Sequence, residues 1–333
     1  MNKIFGSLEA AGYPRGFQRS LLPEWVTPEV LADDAASSEV AAILAKRLAL
    51  RVSPLFAQTP HVESLRRNDP KYKRSIPNKS KDLTAATSVA VAVAESIAAA
   101  CTTPFKAFPE TAGALRDVVL SKVGGKWLGL RNLLMMCWAH GVPVIYLSEV
   151  GEGIAKMDGM VVHTENRPVI VLSKASDLWA WQLYILAHEV GHIALGHVDP
   201  DEILVDEELG KDSYAMEDSD PDERAADAFA IELLNGRRDA SYRVSDEKVN
   251  SATLADVAYR YGVQQKIDPG HIVLNFAHNT GKWAVGIAAA RMLQDQNPPA
   301  PLVINEATWG HLDESVFPDD TLAFLRKATG VSV

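Results

Sequence analysis

Residues 187–197 read Ala-His-Glu-Val-Gly-His-Ile-Ala-Leu-Gly-His, and the pattern His188-Glu189-x-x-His192 within them constrains this chain more than any other stretch. Positions i and i+4 of a helix project from one face, so the two imidazoles can meet on one ion only if the segment is helical. Glu189 then stands beside them, where a carboxylate can act as base toward water activated by that ion. Two neutral nitrogen ligands, an open position and a neighbouring base are the parts of a hydrolytic zinc site. The context favours a helix, because Trp181, Ile185, His188, His192 and Leu195 follow the three-four spacing of an apolar stripe. Two histidines one turn apart on a core-facing stripe are costly to bury unless they share a partner.

With 333 residues, 47% hydrophobic and 23% charged, the chain can bury two or three units of ordinary globular composition. A net charge of −10 excludes a general affinity for polyanions. That charge is uneven: the first third carries a slight excess of Lys and Arg, the remainder a large excess of Asp and Glu. A basic loop at 66–81 holds Arg66, Arg67, Lys71, Lys73, Arg74, Lys79 and Lys81. It reads first as a solvated linker and only second as a nucleic-acid contact, because Tyr72 alone could stack on a base. Cys101 and Cys137 form no C-x-x-C, which rules out a thiolate zinc site and suits a reducing compartment. The apolar stretch at 85–100 is too short and too interrupted to span a bilayer, and the N-terminus lacks a signal-peptide core. A cytoplasmic protein without a membrane partner is expected.

Strand-type runs occupy 142–147, 159–163 and 168–172, the last two flanking a 164–167 turn as a hairpin. Ser176 or Asp177 caps the helix that carries the motif, and Gly196 ends it. Pro221 opens a second helix that stops at Asn235-Gly236. Between them, residues 199–223 hold twelve Asp and Glu and read as a surface loop or insertion.

A hydrolytic zinc needs a third protein ligand. His197 follows His192 by five residues, a rotation of roughly 140° away from the ligand face in a continuous helix. The metzincin pattern would place its third histidine at position 198, where Val198 stands. A helix-terminal histidine facing the C-terminal dipole is the better reading of His197. Glu223, in Glu223-Arg224-Ala225-Ala226-Asp227, is the stronger candidate, with Asp227 one turn later to orient a zinc-bound histidine through its other nitrogen. The competing reading is that Asp220-Pro221-Asp222-Glu223 is an N-cap with its N3 glutamate. Tyr184, His271 and His278 are candidate donors to an oxyanion.

His188-Glu189-Val190-Gly191-His192, followed by Glu223-Arg224-Ala225-Ala226-Asp227-Ala228-Phe229-Ala230-Ile231-Glu232-Leu233-Leu234, resembles the ImmA/IrrE family of metallopeptidases. Members show H-E-x-G-H and then E-x-x-A-(N/D)-x-F-A-x-x-L-L, and residues 168–173 resemble the strand before the family's zinc helix. The resemblance covers roughly residues 130–280. It implies a minimal zincin fold, with Zn2+ on His188, His192 and Glu223. It also implies cleavage of a specific intracellular protein, usually a helix-turn-helix transcriptional repressor, in stress response or mobile-element control. Asn235-Gly236 stands where members carry Met-Pro, and substrate identity does not carry over.

The expected fold class is α+β: a mainly helical region at 1–110, a zincin-like domain at 111–280 and a mostly helical extension at 281–333. In the expected mechanism Glu189 is the base and strand 168–172 is an edge that aligns an extended substrate. The alternative is a non-catalytic, zinc-stabilised module that binds a protein or DNA. The intact Glu189 argues for the enzyme, because a structural zinc needs no base.

Overall fold

Among the described residues, five short strands make one mixed sheet, whose order decides what can approach the motif. The computed structural model describes residues 1–73, 82–122, 125–151, 153–207, 220–244 and 248–331. The strands are β1 (Lys71–Lys73), β2 (Val144–Tyr146), β3 (Gly159–His163), β4 (Pro168–Leu172) and β5 (Ile203–Asp206), in the spatial order β1-β5-β3-β4-β2. β3 and β4 form the expected antiparallel hairpin, with Gly159 opposite Leu172 and His163 opposite Pro168. β2 runs parallel to β4, β5 antiparallel to β3, and β1 parallel to β5.

The N-terminal third supplies α1 (Asn2–Ala10), α2 (Arg15–Ser20), α3 (Pro28–Ala32), α4 (Ser37–Arg47) and α5 (Thr84–Ala100). Before the sheet come α6 (Ala112–Lys122) and α7 (Leu130–Ala139); α8 (Trp179–Ala194) carries the motif and α9 (Pro221–Asn235) carries Glu223. The chain continues through α10 (Ser251–Gln265), α11 (Pro269–Thr280), α12 (Trp283–Gln294), α13 (Ala300–Trp309) and α14 (Asp319–Thr329). The result is a mixed architecture of many helices around a small sheet, compatible with the α+β class. No helix among the described residues is long and apolar enough to cross a membrane.

Alternate residues of a strand face opposite sides, and here both sides are apolar. Ile145, Met160, Val162, Val169, Val171 and Val205 join α4, α5 and the last helix, α14, in one core. Val144, Val161, Ile170, Leu172 and Leu204 face the other way, into a core shared with α7, α8, α9 and α13. A third core gathers α10, α11 and α12 around the start of α8. The divisions expected at 110 and 280 therefore do not follow the cores. The first runs through a shared one, because a sheet apolar on both faces needs the N-terminal helices as its second cover. The two ends of the chain are tied directly: Arg47 Nη2 donates to Asp320 O (2.9 Å) and Lys327 Nζ to Ser20 O (2.9 Å).

The pairing overturns two expectations. β4 lies between β3 and β2 and is buried throughout, so residues 168–172 are no edge and cannot accept a substrate strand. Residues 203–206, expected within a surface loop, form a buried strand because Ile203, Leu204 and Val205 are taken into the two cores. Arg66, Lys71 and Lys73 of the basic segment face acidic partners of this same chain. Buried Arg66 meets Glu95 at 3.0 Å and Asp201 at 3.4 Å, Lys71 meets Glu202 at 2.6 Å, and Lys73 meets Asp220 at 2.5 Å. Arg74, Lys79 and Lys81, and the acidic residues between 208 and 219, lie outside the described residues.

Candidate metal centre

From Gln182 to His192, α8 is buried around its whole circumference. Its ends are partly exposed, at Trp179 and Trp181 and again at Ile193 and Ala194, so the expected stripe describes the middle of an enclosed helix. Gly191, inside the motif, is what lets α9 approach. A Cβ there would lie 3.1 Å from Ala226 O and 3.3 Å from Phe229 Cβ, tighter than side chains normally pack. Asp220 caps α9 by accepting from Asp222 N, with Pro221 in the first turn. The cap role thus falls to Asp220, and Glu223 turns toward the histidines.

His188, His192, Glu223 and Asp206 form a group that can hold a metal ion, with one ligand atom of each lying within 4.8 Å of the others. His188 Nε2 is 3.0 Å from His192 Nε2 and 3.4 Å from Glu223 Oε2, and His192 Nε2 is 3.4 Å from Glu223 Oε1. Ligands about 2.0–2.1 Å from a tetrahedral zinc stand roughly 3.3 Å apart, so these separations fit such an ion. Asp206 Oδ2 completes the group at 3.5 Å from His188 Nε2 and 3.9 Å from His192 Nε2.

The polar accounting also asks for a cation. Among the described residues, both oxygens of Glu189, both of Asp206 and Oε1 of Glu223 are buried without a hydrogen-bond partner. Buried carboxylates left unpaired are costly, and a divalent ion answers several at once. Without one, burial and then the charges of Glu189 and Glu223 push Asp206 well above the usual carboxylate range. Burial pushes Glu189 up to about 8.

Each imidazole has a partner for its other nitrogen. His188 Nδ1 donates to Asp227 Oδ1 at 2.9 Å, which leaves Nε2 with a lone pair for the ion. The same Asp227 oxygen accepts the Tyr184 hydroxyl at 2.6 Å. Burial disfavours the charged form of His188, yet the hydrogen-bonded carboxylates of Asp227 and Glu223 outweigh it and raise this imidazole well above its ordinary value. His192 is pushed well below, by burial and then by His188. Its Nδ1 lies 2.9 Å from His197 Nδ1. His197 reaches that position because Gly196, at φ 72°, turns the chain back at the end of the helix.

The structure thus brings together His188, Glu189, His192, Glu223, Asp227 and Tyr184, with Tyr184 committed to Asp227. It does not bring His271 or His278 to them. His271 Nε2 accepts from Asn235 Nδ2 at 2.9 Å, at the opposite end of α9 from Glu223, about 18 Å along the helix. His278 stands edge-on to Trp283, which stacks on Trp181 at the start of α8. Asp206, beside the candidate ligands, and the contact of His197 with His192 are the features of the candidate site that sequence reasoning missed. The signal for Asp206 was the run Ile203-Leu204-Val205 before it, a strand hidden among acidic neighbours.

Compared with family models and with curated proteins, the chain finds no match in either.

Proposed function

We propose that this chain is a metal-dependent endopeptidase with zinc on His188, His192 and Glu223. The bound ion supplies Lewis acidity and makes water acidic near neutrality. Glu189 takes up the proton that water gives away and delivers it to the leaving amine nitrogen. Asp227 and His197 hold the two imidazoles in the tautomer that presents Nε2. The observation that carries this reading is Glu189 itself: a buried, unpartnered carboxylate beside the ligand cluster, where a purely structural ion calls for none. The strand β3 makes room for it with Gly159, where any Cβ would overlap Glu189 Oε1.

The resemblance to the ImmA/IrrE family extends the reading to a protein substrate, with a helix-turn-helix repressor as the implied class, in stress response or mobile-element regulation. Two buried cysteines left unpaired suit action in the reducing cytoplasm.

Asp206 favours a second reading. With it the cluster offers four protein ligands, the number a structural zinc uses, as in a non-catalytic module that binds a protein or DNA. DNA is the weaker partner of the two, since Arg66, Lys71 and Lys73 already face carboxylates. Metal analysis of the wild type and Glu189→Gln, each incubated with candidate repressors, separates the readings. Stoichiometric zinc in both with cleavage only by the wild type supports the peptidase. Wild type without stoichiometric zinc overturns both.

A further inference from the structure

β5 lies where an extended polypeptide would have to lie to reach Glu189. β3 is the strand against the motif helix, with Gly159 facing Glu189, and one of its edges is taken by β4. The other edge is filled by β5, antiparallel, with Asp206 opposite Gly159 and Leu204 opposite Val161. Leu204 and Asp206 share the α8 side of the strand: Leu204 enters the core that holds Val161 and Val190, and Asp206 reaches the histidines. A segment added to a sheet edge binds through main-chain hydrogen bonds and is read by pockets for alternate side chains, and β5 uses both devices. His188, Glu189 and His192 have no exposed surface, so no second polypeptide can approach them while β5 is in place. A carboxylate at the end of an apolar strand, with neither oxygen hydrogen-bonded, is costly unless it meets a cation.

We propose that β5 is a built-in occupant of the substrate groove along β3, with Asp206 as the fourth protein ligand of the ion. The substrate is then an extended segment that replaces β5 antiparallel to β3. It carries an apolar residue two positions before the one at the ion, in the place of Leu204. β1 holds the occupant in position by pairing with it and through Lys71 on Glu202, and β1 is itself anchored to the start of α9 by Lys73 on Asp220 and Asp222. The inference rests on the peptidase reading, in that it names the strand along which that substrate binds.

The test uses the full chain loaded with cobalt(II), whose visible spectrum reports an added ligand, and acetohydroxamate as the probe. Wild type is expected to bind the probe weakly. Asp206→Ala, and separately the double variant Lys71→Glu/Lys73→Glu, are expected to bind it at least about tenfold more tightly, because the open fraction sets the apparent affinity. The lysine variant leaves every ligand in place, so the test survives an Asp206 variant that fails to fold. Equal affinity in wild type and lysine variant overturns the proposal, as does a folded Asp206→Ala protein that no longer retains cobalt. Cleavage is scored separately. An opened variant that binds acetohydroxamate and cuts neither repressors nor unfolded polypeptides sinks the peptidase reading while upholding the occupancy of the groove.

Discussion

Asp227 holds His188 by a single oxygen, which accepts His188 Nδ1 at 2.9 Å and the Tyr184 hydroxyl at 2.6 Å. One carboxylate oxygen therefore sets both the tautomer and the ring angle of a candidate metal ligand. Replacing Asp227 by Ala is expected to weaken zinc binding by about 10–100-fold, the usual cost of losing an orienting partner, with Tyr184→Phe costing less. Competition against a chromophoric chelator measures both. Unchanged affinity in Asp227→Ala would mean that the ring is held by packing alone.

Chelation is expected to lower the melting temperature and restored zinc to recover it. Three carboxylates, Glu189, Asp206 and Glu223, have oxygens that are left without partners in the cluster. An ion present at about a thousand times its dissociation constant adds on the order of 4 kcal/mol to the folded state. Calorimetry with and without chelator reads the shift, and a melting temperature indifferent to chelator would argue that the cluster holds no metal.

Gly159 and Glu189 are expected to be energetically coupled. Gly159→Ala places a Cβ on Glu189 Oε1 and 2.9 Å from Ile185 Cγ2, and β3 cannot retreat because it is paired on both edges. Overpacking of this kind costs about 1–3 kcal/mol. Adding Glu189→Ala should recover part of that loss, giving an interaction energy of about 0.5 kcal/mol or more in a denaturant-unfolding cycle. Simple additivity would place Glu189 elsewhere.

The stability of the C-terminal helices should depend on His271. Burial, followed by the charge of Arg116, depresses this imidazole from 6.5 to about 4, and its Nε2 accepts from Asn235. As pH falls below 6.5 the unfolded chain takes a proton that the folded one refuses. Stability is therefore lost between about 6.5 and 4, by roughly 3 kcal/mol in all. Asp268 works in the opposite sense: burial raises it to about 6, so its cost to the folded state is relieved over the same descent. The difference between wild type and His271→Gln isolates the histidine. It should be greatest near neutrality and shrink toward pH 4, and a difference constant with pH would exclude the histidine as its source.

What was legible in the sequence was local. The hairpin bounds of 159–163 and 168–172 were readable because β-branched runs flank a turn. The limits of α9 were readable because Pro221 and Gly236 punctuate it. The rotation argument removed His197 from the ligand face, but its pairing with His192 depended on the turn at Gly196. Non-local pairing was not readable. Whether β4 was an edge depended on β2, which joins it from more than twenty residues upstream, although the unbroken apolar run of β4 already suited burial on both faces. Asp206 was hidden for the same reason, since charge density around 199–223 outweighed three apolar residues that only β3 and β1 turn into a strand.

The core that unites α4, α5 and one face of the sheet is completed by Phe324, Leu325 and Ala328 of α14. During synthesis those residues emerge well after α4, α5 and the strands they cover, so the earlier helices and strands wait with an apolar face uncovered until α14 follows. Such a chain is a natural client for chaperones that bind exposed apolar surface. Deleting α14 would uncover the back of the sheet that carries β3, at a distance in sequence from every residue of the candidate metal site.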